Sequence, residues 1–326
     1  MNFRNRITLP LAAAALAATA AFGAHAQPGA YPNQPIKLVV PYPAGGAGDF
    51  LARQYATKLA VELKQVVVVE NRAGAGGLIG SDHVAKAKPD GYTLVVGSNS
   101  SHSIAPSVVK KMPYDPVNDF AAISLLITTP YVVVVHPDVP AKTLSELIAL
   151  GKSKPDSLTF GSAGNGTTPH LAGELFSTMT GVKMRHIPYK GSGPMANDLL
   201  GGQIQLAFDN SVMSQIKAGK LRALAVTGPQ RLGSLPDVPT PAEAGLPGFE
   251  VLGWFGLYAP KGTPPEIVSL LARETRKIMQ MPDIVERVSS FGLSPRPIPM
   301  AEFNSFLIED QAKWARVVKA ANIQPE

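Results

Sequence analysis

Short runs rich in valine and isoleucine recur along the chain. Each closes on a glycine-rich turn that opens into an apolar-periodic segment. The first is Leu38-Val39-Val40, ended by Pro41 and Pro43 and followed by Ala44-Gly45-Gly46-Ala47-Gly48-Asp49. Such a run reads as a buried strand, and Phe50, Leu51, Tyr55 and Leu59 mark a helix behind it. The second is Val66 to Val69, read as a buried strand from its β-branched composition, with Asn71-Arg72-Ala73-Gly74-Ala75-Gly76-Gly77 as its turn. The third is Tyr92 to Val96, ending in Gly97-Ser98-Asn99-Ser100-Ser101. Consecutive βα units imply a parallel sheet with helices on its faces.

The same pattern resumes after a long extended run, Leu125 to Val135, broken at Thr128-Thr129-Pro130. Strands are expected at Leu158–Phe160, Met184–Ile187, Ile204–Phe208 and Leu221–Val226. Thr143-Leu144-Ser145-Glu146 and Thr263-Pro264-Pro265-Glu266 both read as capping boxes opening helices. A final helix near Ala301–Ala320 closes the chain. The economical layout is two α/β lobes, with the chain crossing near Ile123–Thr129 and again near Leu224–Gly228. That assigns 27–126 to the first lobe, 127–226 to the second, and 227–326 to the first again.

The first 26 residues read as a secretory signal peptide. Arg4 and Arg6 precede an alanine-rich apolar run, and Ala24-His25-Ala26 is a cleavage site. The expected location is the periplasm. Removing those two arginines leaves 28 basic against 24 acidic side chains, a formal +4. No Lys/Arg block marks a nucleic-acid partner. The chain has no cysteine, so an exported fold of this size relies on its core. Its six histidines lack metal-ligand spacing, and no metal or cofactor is expected.

Ligands of open parallel sheets bind beyond the carboxyl ends of the strands. The loops at 43–49, 98–101, 164–168 and 190–193, with 209–210, should therefore face one crevice. They offer Ser, Thr, Asn, backbone N–H groups and helix N-termini, which suit carboxylate oxygens. Tyr42, Phe50, Trp254 and Phe255 read as core or cleft wall. Enzyme motifs fail: Glu146 stands where a P-loop ending at Gly151-Lys152-Ser153 needs its first glycine. Neither glycine-rich turn forms G-x-G-x-x-G, and Phe160 breaks G-x-S-x-G at Ser162. A triad of Ser162, His170 and Asp209 keeps a secreted hydrolase of a small ester as the rival reading.

The chain resembles the receptors of tripartite tricarboxylate transporters, the Bug-type extracytoplasmic solute-binding proteins. The resemblance rests on Tyr31-Pro32 with Pro35 to Pro41, on Gly45-Gly46 with Asp49, Ala52 and Arg53, and on Asn71 to Gly77. Pro89 to Leu94, His170-Leu171-Ala172, Pro188 to Gly191, Phe208-Asp209 and Ala259 to Pro264 extend it. It implies a type II-like, two-lobed periplasmic binding protein of mixed, mostly parallel sheets. Two crossing strands join the lobes, and the ligand cleft lies between them. It also implies a non-catalytic monomer that hands a small organic carboxylate, dicarboxylic or aromatic, to membrane permease subunits. The residues expected at the ligand are Tyr42, Ala44, Gly45, Gly46, Asp49, Ser98, Asn99, Asn165, Thr167, Thr168, Ser192 and Asp209.

Overall fold

A computed structural model describes residues 31–325; the expected signal peptide lies outside them. The strands are β1 Ile36–Val40, β2 Val67–Asn71, β3 Thr93–Ser98, β4 Phe120–Pro130, β5 Val132–Val135, β6 Leu158–Ser162, β7 Met184–Pro188, β8 Leu206–Phe208, β9 Arg222–Val226, β10 Leu252–Pro260 and β11 Ser294–Ile298. The helices are α1 Ala47–Leu63, α2 Leu78–Ala85, α3 Ala105–Val108, α4 Leu144–Ser153, α5 Thr168–Thr180, α6 Ser192–Leu200, α7 Met213–Lys217, α8 Pro265–Met279, α9 Pro282–Ser290 and α10 Met300–Ala320. From Gln34 onward they form one compact unit. It holds a six-stranded sheet ordered β11-β4-β10-β3-β1-β2 and a five-stranded sheet ordered β7-β6-β8-β5-β9.

Both sheets are mixed, but parallel pairing does not dominate. It is confined to β2-β1-β3 and β7-β6-β8. β10 runs antiparallel to β3 and β4, β11 to β4, and β5 to β8 and β9. The strands nearest the crossings cause this. A parallel neighbour requires a crossover connection, whereas a strand arriving from the other sheet enters in the opposite sense. β2 is also an edge strand, so Val66 and Val68 are exposed rather than buried.

The sheets exchange the chain at Tyr131, the single residue between β4 and β5. The return passes through Thr227. Its Oγ donates to the carbonyl of Val251 (2.6 Å) and accepts from the N–H of Tyr131 (2.8 Å). Its own N–H donates to the Tyr131 carbonyl (2.8 Å), so one threonine ties both crossings together.

Thr143 caps α4 as expected, accepting from the N–H of Glu146, whose carboxylate accepts from the N–H of Lys142. The second capping box does not form. Pro264 is the N-cap of α8, and Thr263 Oγ donates back to the Pro260 carbonyl. α10 packs Phe303 and Leu307 in the core of the first sheet, and Trp314 and Val318 in that of the second. At 1.5 Å per residue its 21 residues reach about 31 Å, enough to serve both cores.

Candidate functional site

The turn between β1 and α1 is organised by Asp49. One carboxylate oxygen accepts from the Gly45 N–H (3.0 Å) and Arg53 Nε (3.1 Å). The other accepts from Asn71 Nδ2 (3.0 Å) and Arg53 Nη2 (2.9 Å). Asn71 Nδ2 also reaches the Tyr42 carbonyl at 3.1 Å. Burial alone would raise the Asp49 carboxyl. The hydrogen bonds from Arg53, Gly45 and Asn71 outweigh it and hold the group below the usual carboxylate range. Asp49 is thus a strut that shapes the turn. Gly45, at φ +87°, gives its N–H to that strut. Both were expected at the ligand, and neither lines the cavity.

That cavity, of about 110 Å³, lies where the strand ends of the two sheets meet. It is lined by Tyr42, Ala44, Gly46, Ser98, Asn99, Thr167, Ser192 and Asp209, eight of the twelve expected residues. Asn165 instead borders a neighbouring cavity of about 810 Å³, with His170 and Lys190. Thr168 is wholly buried and faces Ser100 from the other sheet's side. Its N–H and Oγ both lie 3.2 Å from Ser100 Oγ. Sequence reasoning missed Thr129, Tyr131 and Ser211 as lining residues and took Phe255 only as core or wall.

Three helices begin at this cavity. The N-caps of α1, α5 and α6 are Gly46, Thr167 and Gly191, and all three line it. None is satisfied by a side-chain cap. The first-turn N–H groups of α1 and α6 and the positive ends of three dipoles therefore converge on one small space, while in α5 the Thr168 N–H is given to Ser100 Oγ and Pro169 has none. Asn99, 2% exposed, leaves its Nδ2 without a partner, and Ser211 Oγ is buried and unpartnered too. Buried donors in this state call for an acceptor. No Lys, Arg or His is among the lining residues.

The remaining hydroxyls are spoken for. Tyr42 OH lies 2.5 Å from Ser98 Oγ, and its ring meets Phe255 edge-on at 6.3 Å. Thr167 Oγ donates to the Gly164 carbonyl at 2.7 Å, so its hydrogen is not aimed at the cavity. Ser192 Oγ donates to Asp209 at 2.8 Å, and the Ser211 N–H donates to the other oxygen at 2.7 Å. Burial nevertheless pushes the Asp209 carboxyl up, against the opposing hydrogen bonds.

The hydrolase triad does not assemble. Ser162 Oγ pairs with His186 Nε2 at 2.6 Å, and Asp209 is held by Ser192 and Ser211. His186 stacks on His170, and burial followed by the charge of His170 pushes it down to about 3. Ser162 is itself fully buried, out of reach of a substrate.

Two α/β lobes that share a crossing strand pair and close on a cavity ringed by helix N-termini define a two-lobed periplasmic binding protein. The model of the tripartite tricarboxylate transporter family receptor matches residues 51–323. The Bordetella pertussis protein BugT is 39% identical over 305 residues, 93% of this chain and 94% of its own. An R. palustris protein solved with adipate superposes with a TM-score of 0.88 at 36% identity, over 91% of this chain and 100% of the other. MatC from Rhodopseudomonas palustris, with bound malate, gives 0.84 at 33% identity, over 88% and 100%. The chain belongs to the tripartite tricarboxylate transporter receptor family.

Proposed function

We propose that the protein is a periplasmic receptor that captures a small dicarboxylate in the 110 Å³ cavity and delivers it to the membrane subunits of a tripartite tricarboxylate-type transporter. In this reading it acts as a monomer after removal of residues 1–26. Its lobes run over 27–126 with 227–326, and over 127–226. The observation that carries the proposal is the convergence of three helix N-termini, those of α1 and α6 uncapped, with the unpartnered Asn99 Nδ2. Such donors hold carboxylate oxygens without a fixed cation. A citrate-like ligand with three charges fits poorly beside Asp209 and without a Lys or Arg. Relatives solved with adipate and malate support a two-carboxylate ligand. A second reading, an aromatic acid such as terephthalate, is favoured by the Tyr42, Tyr131 and Phe255 rings at the cavity.

Titration calorimetry and thermal melting against succinate, malate, adipate and terephthalate test this. A ligand at a hundredfold excess over its Kd should stabilise the fold by about 2.7 kcal/mol. Indifference to the whole panel, with turnover of a small ester, would restore the hydrolase.

A further inference from the structure

An anion site ordinarily avoids fixed negative charge, yet this cavity contains a carboxylate. Asp209 follows β8, is 2% exposed and lines the space onto which the three helices open. No cation accompanies it among the lining residues. The titratable groups facing it are both phenols. Tyr131 comes from the crossing between β4 and β5, and Tyr42 from the turn after β1. Burial pushes both phenols up, so they stay neutral and supply no counter-charge.

We propose that Asp209 takes up a proton as the lobes close on a doubly charged diacid, so that capture is proton-linked and tightens as the pH falls. The inference rests on the diacid reading above. Two carboxylates confined within one small desolvated space cannot both remain ionised, and one of them gains a proton. The diacid has the first N–H groups of α1 and α6, the dipole of α5 and Asn99 Nδ2 to hold its charge. Asp209 has Ser192 Oγ, the Ser211 N–H and the dipole of α6, opposed by complete burial. The proton therefore goes to Asp209. It comes from solvent, and no other bond breaks. Ser192 and Ser211 go on donating, while the new O–H donates to a ligand carboxylate oxygen. Repulsion is replaced by a charge-assisted hydrogen bond. The paired strut at Asp49 makes the contrast: a carboxylate the fold wants ionised is surrounded by donors and an arginine.

The test is titration calorimetry of the mature chain with adipate, and separately with malate, between pH 6.5 and 9. Each pH is run in two buffers of different ionisation enthalpy. Over this range aliphatic carboxyls in solution are ionised, so proton uptake reports a proton gained only in the complex. The expected result is uptake approaching one proton and a Kd that weakens by up to tenfold per pH unit above the carboxyl's value in the empty protein. Asp209→Asn should abolish the uptake and flatten the pH profile. If that variant fails to fold, Ser192→Ala takes its place. Losing one donor to the carboxylate should move the weakening of affinity to higher pH. A wild-type Kd flat in pH, with buffer-independent heats, overturns the inference and leaves the receptor reading standing. Undiminished uptake in Asp209→Asn, or an unmoved profile in Ser192→Ala, assigns the proton elsewhere and also overturns it. Binding of neither diacid at any pH overturns both.

Discussion

Asp49 and Asp209 both lie in segments that follow the carboxyl end of a strand, Asp49 in the first turn of α1 and Asp209 directly after β8, and the fold treats them oppositely. Asp49 is saturated by Gly45, Arg53 and Asn71 and held below the usual carboxylate range against its burial. Asp209 has hydrogen bonds from Ser192, Ser211 and Asn210 but no cation, and burial prevails. Position in the topology places both acids near the crevice. Their partners then decide which is scaffold and which faces the ligand. A carboxylate with every lone pair engaged can orient a turn, and one with unmet demand can respond to what enters beside it.

The largest expected effect breaks the strut. Asp49→Ala leaves Arg53, Asn71 and the Gly45 N–H without their acceptor. Breaking a buried ion pair costs roughly 3–5 kcal/mol, and the half-exposed Arg53 reduces that to about 2–3 kcal/mol. Urea unfolding should show the loss, and diacid binding should fall with it because the α1 turn is released. An Asp49→Ala protein as stable as the parent would remove the distinction between the two acids.

Asn99→Ala reverses that pattern. Folding should change little, since the Nδ2 group has no partner within the fold. Affinity for a diacid should drop ten- to a hundredfold, the loss of about 1.5–3 kcal/mol for a hydrogen bond to a charged group. Calorimetric titration reads it directly.

Closure gives an intermediate effect. A Cβ on Gly191, which sits at φ +111°, would lie 2.9 Å from Pro43 of the opposite lobe. Gly191→Ala should therefore weaken binding, and small-angle scattering at saturating diacid should show a larger radius of gyration than for the parent. An unchanged radius and affinity would mean that this contact does not govern closure.

The acids also predict opposite pH limbs of stability. Asp49 has a depressed folded value, so its contribution is present above the unfolded value near 3.9 and is lost as pH falls through the folded one. Asp209 has a raised folded value. Its stabilising neutral form is fully present below about 3.9, and the contribution is lost as pH rises through the folded value. Melting curves across pH should show Asp49→Asn flattening the acid limb and Asp209→Asn the limb above it. Thr167→Ala should have the smallest effect on affinity, under about 1 kcal/mol, because its hydroxyl is already given to Gly164.

Much of this was legible in the residues. The glycine-rich ends of valine runs located the α1 turn, and the loops at 98–101, 190–193 and 209 do converge with it. Side-chain direction was less legible. Asn165 and Thr168 belong to the right loop, yet one borders the larger cavity and the other meets Ser100. Thr129 and Tyr131 escaped because they lie where the chain crosses between sheets, and no local periodicity records what a crossing strand will face. The antiparallel pairs were hidden for the same reason: strand sense depends on which sheet a strand comes from. Asp49 was expected at the ligand, and the alternative is a residue that shapes the start of α1. Only the combination of Gly45, Arg53 and Asn71, brought together around its carboxylate, makes it the residue that shapes the turn.

The central claim is that the small cation-free cavity, rather than its larger neighbour, receives the ligand. A crystal structure of the mature protein grown with saturating adipate measures this. One carboxylate should lie within hydrogen-bond distance of Asn99 Nδ2 and the first N–H groups of α1 or α6, with the other end towards Asp209. Adipate bound instead in the larger cavity, against Asn165, His170 and Lys190, would contradict the account.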